Sequence, residues 1–326
     1  MRQRKVVIST QDMALNDLSI PTPMDLIDVM SQGNETFGLM NVEEMHSAIN
    51  QNLTKNDPRR IELLLMTAMK ATRANKFDEA IECLRDALLI PCTDDERASV
   101  YSQLAEVYEK QKNWSAALEN YENIFRMPQI SEASSDLRLA HISTAKIYAE
   151  IGDDHNSILH YKSGVQLYCQ HKSPHHPLVS SCKIQIGSKF LKLGDMDAAL
   201  KTFQEVIELG YPDDVKVAYN KIAIIFGLRE DYDMAYYNFI ESLNISQSEI
   251  PPDIDLIIGT HLHLARIECL RNYFDEGYVH LNEAVIISEN HKCTEETQKQ
   301  IQFLLKNFSD LQCHGQPNNR NSDNNS

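Results

Sequence analysis

The chain has 326 residues, of which 42% are hydrophobic and 24% charged, a composition that allows a sizeable buried core. Its 47 acidic and 31 basic residues give a formal net charge of −16, which disfavours nonspecific binding to nucleic acid and to anionic membranes. No apolar run approaches the roughly 18 residues of a membrane-spanning helix, and the first residues lack the apolar stretch of a signal peptide. We therefore expect a cytoplasmic protein without membrane insertion.

The seven cysteines are scattered and never spaced CxxC. This distribution favours neither a disulfide framework nor a zinc ribbon. We expect buried or incidental thiols.

Residues 1–58 form an N-terminal extension with short helices. Two segments, 23–30 and 41–53, have the apolar spacing of short amphipathic helices. The second begins with Asn41 and Glu44, a spacing typical of a capping box. We expect these helices to pack on the following segment or to precede it loosely.

A repeated pattern follows, because the segment 98–128 can be matched at five other places along the chain. Each copy predicts a helix, a short polar turn and a second helix. When Leu104 is numbered as position 7 of its copy, the residues at positions 8 and 20 are small in all six copies and those at position 24 are large. Small residues let the two helices of a hairpin approach closely. Position 8 holds Ala68, Ala105, Ala145, Gly187, Ala223 and Ala265, position 20 holds Ala80, Ala117, Ser157, Ala199, Ala235 and Gly277, and position 24 holds Leu84, Tyr121, Tyr161, Phe203, Phe239 and Leu281.

This pattern resembles the tetratricopeptide repeat, whose helix-turn-helix units have small residues at positions 8 and 20 and bulky ones at 7, 11, 17 and 24. The resemblance implies an all-α fold, a right-handed superhelical solenoid of about six hairpins with a C-terminal capping helix. The array is expected over residues 59–312, with units near 61–94, 98–131, 138–171, 180–213, 216–249 and 258–291. Individual units depart from the pattern, for example with Asp154 at position 17 and Glu268 at position 11.

Some repeats are similar to those of kinesin light chains. Successive small residues at position 8 lie up to 42 residues apart, and the step His176-Pro177 precedes the fourth unit. The other regularities of that subfamily are not sustained.

The end helix is predicted over 294–312, beginning at the cap Thr294. Its apolar face contains Ile301, Leu304, Leu305 and Phe308. The tail 313–326 is almost wholly polar and is expected to be disordered.

The stretch 186–203 contains Gly187 and Gly194, which raises the possibility of a phosphate-binding loop. Such a loop needs a preceding strand and the spacing GxxxxGK[ST], and neither is present. We interpret Gly187 as a packing residue that, with Ala199, lets the two helices of the hairpin touch, and Gly194 as a turn residue that adopts a positive φ.

The loop after the third repeat contains several side chains that could bind zinc or copper. These are Cys169, His171, His175 and His176, followed by Cys182. The alternative is an ordinary connection between repeats. His261 and His263 are two residues apart on a helix and therefore do not form the i, i+4 pair of a zinc site.

The sequence alone does not assemble a nucleophilic triad, and it contains no GxSxG elbow. Acidic pairs such as Asp153/Asp154 and Asp253/Asp255 fit helix caps. We therefore expect a protein that is not an enzyme and needs no cofactor or metal.

The family resemblance implies that positions 2, 5, 9 and 12 of each first helix line a concave groove for a peptide or helix. The predicted groove residues are Glu106, Glu109, Ile142, Lys146, Ile184, Ser188, Leu191, Asn220, Ile224 and Arg266.

An alternative interpretation is that residues 1–58 or the next helix cover the apolar groove residues.

The partner is expected to be a protein or peptide, and the function that of a scaffold or adaptor. Docking of chaperone C-termini is not expected, because that clamp needs Lys and Asn at positions 5 and 9 of one helix, and no unit has both. Two alternatives remain open: a cargo adaptor or peptide-responsive regulator similar to kinesin light chains, and a metal-dependent helical enzyme using the loop 169–182.

Overall fold

The structure, a computed structural model, describes residues 41–291 and 293–314, with side chains up to Phe308. The regular elements of these residues are all helices, which confirms the all-α repeat fold. Contacts divide the chain into two units at Ala140 and His141, inside the sixth helix. The helices are α1 (Val42–Asn52), α2 (Arg59–Arg73), α3 (Phe77–Leu88), α4 (Asp94–Lys110), α5 (Trp114–Phe125), α6 (Ser135–Glu150), α7 (Asp154–His171), α8 (Pro177–Lys192), α9 (Met196–Leu209), α10 (Pro212–Leu228), α11 (Tyr232–Ser248), α12 (Ile254–Leu270), α13 (Phe274–Asn290) and α14 (Glu295–His314).

The described part of the first unit contains α1, the hairpins α2/α3 and α4/α5, and the start of α6. The predicted capping box of α1 is confirmed, since Asn41 Oδ1 accepts from the Glu44 amide at 2.9 Å and Glu44 Oε2 accepts from the Asn41 amide at 2.8 Å. Helix α1 buries Met45 and Ile49 in one core with residues of α2 and α3 such as Leu64. The predicted helix at 23–30 lies outside the described residues.

The second unit contains the end of α6, helix α7, the hairpins α8/α9, α10/α11 and α12/α13, and α14. Helix α14 starts at the predicted cap, where Thr294 Oγ1 accepts from the Thr297 amide at 3.2 Å. Ile301, Leu304 and Phe308 are buried against α12 and α13, as expected. Leu305 departs from the prediction because it is 37% exposed at the margin of this face. The end of the predicted polar tail, 315–326, lies outside the described residues.

All six hairpins turn in the same way. The residue at position 15 has a positive φ and the amide at position 16 donates to the carbonyl at position 11, a closure that satisfies the last carbonyls of the first helix. Only two of the six residues at position 15 are glycines, although a positive φ favours glycine. The residues at position 15 are Asn75, Lys112, Gly152, Gly194, Glu230 and Asn272, and the closing bonds are 2.8 to 3.0 Å long.

The predicted roles of the two glycines in 186–203 are confirmed. A Cβ atom on Gly187 would lie 2.7 Å from Phe203 Cε1, closer than side-chain packing allows. Gly194 has φ +82° and turns the chain between α8 and α9. This stretch is therefore a helical hairpin and has no phosphate-binding loop.

Many turns are followed by a capped second helix. The carboxylates of Asp153, Asp195 and Asp231 accept from the amides three residues later, at 3.0 to 3.1 Å. Asp253 caps α12 in the same way. These contacts confirm that Asp153 and Asp253 are helix caps. Of the described helices, none is both long and apolar enough to cross a bilayer.

Candidate functional site

A cleft of about 550 Å³ lies between α12 and α14 in the second unit. Leu262 and Leu304 form its apolar floor, and the side chain of Phe303 stands at its edge with 65% of its surface exposed. A large exposed aromatic side chain beside an apolar cleft is typical of a contact site. The lining residues are Gly259, Leu262, His263, Arg266, Glu296, Lys299, Gln300, Phe303 and Leu304.

The wall formed by α12 is locally basic, although the protein as a whole is acidic. Arg266 is exposed and forms no hydrogen bond or ion pair with the described residues. Burial, and then the positive charges of Arg266 and Lys221, lower the pKa of His263 to about 4. The His263 ring stacks on Phe239 with 5.1 Å between ring centroids. At pH 7 the wall formed by α12 therefore presents a neutral His263 and the charged, unpaired guanidinium of Arg266.

The wall formed by α14 carries side chains of both positive and negative charge. Lys299 Nζ lies 2.8 Å from Glu295 Oε1, and both side chains are largely exposed. An exposed pair of this kind is weak and exchanges partners easily. Lys299 can therefore pair with a carboxylate in the cleft at little cost.

The structure separates the predicted groove residues into three groups. Three are exposed, namely Glu106, Lys146 and Arg266, and of these Arg266 lines the cleft. Four are partly buried, namely Glu109, Ser188, Leu191 and Ile224. Three are buried, namely Ile142, Ile184 and Asn220.

The prediction of a free contact surface needs correction at Ile142, Ile184 and Asn220, which fill the space between successive hairpins. Ile142 is part of a core with Cys182 of the next hairpin, and Ile184 is part of a core with Ile222. Asn220 Nδ2 donates to Thr260 Oγ1 at 3.0 Å. At these three positions the next hairpin covers the predicted groove residue, as the alternative interpretation of the sequence expected.

The two acidic residues predicted to line the groove, Glu106 and Glu109, lie in the first unit. Glu109 Oε1 accepts from the Tyr121 hydroxyl at 2.6 Å. Glu106 is exposed and lies 3.8 Å from Lys110 Nζ. Glu109 is thus held within its own hairpin, whereas Glu106 remains open to solvent.

Sequence reasoning missed the contribution of α14 to the site. Phe303, Lys299 and Gln300 line the cleft beside Leu304, which also belongs to the core that α14 shares with α12 and α13. One signal was present, since Phe303 is a large apolar residue outside the predicted apolar face of this helix.

The loop between the third and fourth hairpins does not bring together the side chains considered as alternative metal ligands. Cys182 is buried, and burial raises the pKa of its thiol to about 12. His176 Nδ1 accepts from the Leu178 amide at 3.2 Å and caps α8. Cys169, His171 and His175 are exposed. The part of the chain with described side chains holds no group of three or more His, Cys, Asp or Glu residues arranged to bind a metal.

Two family models match the chain. Residues 45–173 match the model of the soluble NSF attachment protein, SNAP, and residues 185–214 match a tetratricopeptide repeat model. No curated protein matches the chain significantly.

Solved structures share this fold. The apo form of RapI is 10% identical, with a TM-score of 0.68 over 89% of this chain and 77% of that protein. BtubC (BKLC) from P. vanneervenii is 16% identical, with a TM-score of 0.52 over 82% of this chain and 97% of that protein.

The C-terminal part of a TPR repeat-containing protein from Cytophaga hutchinsonii is also 16% identical, with a TM-score of 0.53 over 69% of this chain and 80% of that one. At such identities the likeness concerns the fold alone. Together with the residue pattern, the six equivalent turns and the repeat model, it shows that the chain is a tetratricopeptide repeat protein.

Proposed function

We propose that this protein is a non-enzymatic scaffold that binds a segment of a protein partner in the cleft between α12 and α14. The observation that carries the proposal is the cleft itself, with an apolar floor and the exposed ring of Phe303 at its edge. Binding energy in protein interfaces is concentrated in aromatic and arginine anchors at apolar clefts. Phe303 is the aromatic anchor of this cleft and Arg266 is the arginine anchor.

The cleft favours a segment that presents an apolar side chain next to a carboxylate. Leu262 and Leu304 would receive the apolar group. Arg266, which has no carboxylate partner among the described residues, would pair with the acid in a bidentate contact. The net charge of −16 repels acidic proteins at long range. The locally basic wall of α12 therefore makes the cleft selective for the segment that presents its carboxylate there.

The partly buried groove positions extend the proposed contact within the second unit. Ser188, Leu191 and Ile224 occupy positions 9 and 12 of α8 and α10 and retain some exposure. We propose that they contact the same partner segment less closely than the cleft does. Glu106, Glu109 and Lys146 are proposed as further contacts.

The test is a quantitative affinity purification with three forms of the protein. Phe303→Asp places a charge at the cleft edge, and Val279→Asp places the same charge on α13, at a residue that is 58% exposed and outside the cleft lining. We expect specific partners of the wild type to be lost from Phe303→Asp and kept by Val279→Asp. Equal recovery of every partner by both variants would refute the cleft as the contact site.

The kinesin-light-chain-like cargo adaptor, the peptide-responsive regulator and the cytoplasmic location stay predictions, and no feature of the described residues favours them over the simpler scaffold. The metal-dependent enzyme is less well supported, because the structure separates buried Cys182 from the exposed histidines of the loop.

A further inference from the structure

Two pairs of histidines face each other at the same place in two different hairpins. His261 of α12 and His280 of α13 lie with their Nδ1 atoms 3.2 Å apart. His141 of α6 and His160 of α7 repeat this arrangement at 3.1 Å, with the same separation of 19 residues. These are positions 4 and 23 of the sixth and third repeats. The recurrence indicates a defined contact between the helices of a hairpin.

Facing Nδ1 atoms restrict how many protons a pair can hold. In a neutral pair one ring donates its Nδ1–H to the Nδ1 lone pair of the other. One further proton, placed on an Nε2 atom, leaves that bond intact. When both rings are protonated, two Nδ1–H donors and two positive charges oppose each other. The contact therefore excludes the doubly protonated state.

The surroundings of the sixth-hairpin pair disfavour even the first charge. His261 is 5% exposed, and burial, followed by the charge of His280, lowers its pKa to about 4. Burial also lowers the pKa of His280, against the opposing effect of Glu283 on α13.

Other ionisable groups lie on the surrounding helices. They are His263 and Glu268 on α12, Glu268 being paired with Arg271 at 3.0 Å, Asp233 and Glu241 on α11, and Glu295, Glu296, Lys299 and Lys306 on α14. No charge effect of these described side chains appears on either ring of the pair.

We propose that His261 and His280 form a proton-sensitive contact that holds α12 against α13 at neutral pH and releases the sixth hairpin in acid. Unfolded histidine has a pKa of about 6.5. Because the folded rings bind protons less readily, the contact is stable above this value and weakens as the pH falls from 6.5 towards 4. Helix α12 also forms one wall of the cleft, so acid would loosen that wall.

The chain supplies its own non-ionising replacement. In the fifth repeat the same two positions hold Tyr219 and buried Asn238. The variant His261→Tyr/His280→Asn therefore introduces residues that this hairpin geometry already accommodates. His291→Gln is the matched control, since His291 is exposed just beyond α13. His263 remains in all three proteins and contributes the same residual pH dependence.

The experiment measures amide hydrogen exchange in α12 and α13 at pH 7.5 and 5.0, corrected for the intrinsic rate. Between pH 7.5 and pH 5.0 the protection factors of α12 and α13 should fall in the wild type and in His291→Gln. We expect this fall to be at least about tenfold larger than in His261→Tyr/His280→Asn. Ring titrations of the wild type by NMR give a second readout that needs no folded variant, with the pKa of both rings expected below the ordinary value for histidine. Titration of both rings near 6.5, or equal loss of protection in all three proteins, would overturn the proposal.

Discussion

Asn220 of α10 donates a hydrogen bond from Nδ2 to Thr260 Oγ1 of α12 at 3.0 Å, and both side chains are buried. Thr260 in turn donates to the Leu256 carbonyl at 2.7 Å. The two residues are 40 positions apart and join successive hairpins of the second unit. A position predicted to face a ligand thus serves the stacking of repeats.

Replacing Asn220 by Ala should lower the free energy of unfolding by about 1 to 2 kcal/mol, because the buried hydroxyl of Thr260 loses a donor. Urea denaturation measures the change. Asn244→Ala, at an exposed position of α11, is the control and should change stability by less than about 0.5 kcal/mol. In a double-mutant cycle with Thr260→Ala, additive effects would show that the bond contributes nothing.

Gly187→Ala should destabilise the fourth hairpin by about 1 to 3 kcal/mol, because its Cβ would lie 2.7 Å from Phe203 Cε1 in a closely packed core. The matched control is Gly259→Ala on α12, where a Cβ would meet nothing within 4 Å. That change should raise stability by up to about 1 kcal/mol through helix propensity. Thermal unfolding of both variants separates the two effects. A loss of stability in both variants would count against steric packing as the cause.

Lys112→Gly should increase stability by up to about 1 kcal/mol. Lys112 has φ +57° in the turn of the second hairpin, a conformation that costs a residue with a side chain more than it costs glycine. Glu106→Gly, within helix α4, should instead lower stability by about 1 kcal/mol. Chemical denaturation of the two variants should therefore give changes of opposite sign, and two losses would contradict the assigned turn geometry.

Asp154 links stability to pH. It is 6% exposed, and Lys192 Nζ lies 2.7 Å from Oδ2 while Lys189 Nζ lies 3.0 Å from Oδ1. Burial alone raises its pKa, but the two lysines outweigh this effect and hold the pKa below the usual 3.8. The carboxylate therefore stabilises the fold above pH 3.8, and this contribution is lost as the pH falls through the lower folded value.

Asp154→Asn should accordingly cost about 3 kcal/mol at pH 7, since it leaves two lysines without their partner. The difference from the wild type should shrink below about pH 4, as urea denaturation at several pH values can measure. Asp197→Asn, which removes an exposed partner of Arg229, should have little effect at either pH. An Asp154→Asn effect that is independent of pH would contradict the ion-pair assignment.

Local rules predicted most of the repeat. The size pattern at positions 8, 20 and 24 predicted Gly187 as a residue of close helix approach and Phe203 as a residue that packs the interface, and the caps at Asn41 and Thr294 followed from spacing alone. The positive φ of two of the six equivalent turns could be anticipated, because these turns have glycine at position 15. At Lys112 and Glu230 the surrounding hydrogen bonds impose the positive φ on residues that do not favour it.

The candidate site was less predictable, because residue type does not specify which surface a neighbouring hairpin covers. Ile184 and Leu191 are both apolar and lie on the same helix, yet only Ile184 is buried by the next hairpin. Phe303 shows the opposite case, an apolar residue that the amphipathic pattern of α14 leaves exposed.

The cleft between α12 and α14 is tested most directly by site-specific photo-crosslinking with p-benzoylphenylalanine in place of Phe303. The same probe at Val279, exposed on the neighbouring α13 but outside the cleft lining, is the control. We expect the probe at position 303 to capture a protein partner and to lose this capture when Arg266 is changed to Glu, whereas the probe at 279 should not capture it. Equal capture from both positions, unaffected by Arg266→Glu, would show that the cleft is not the contact site.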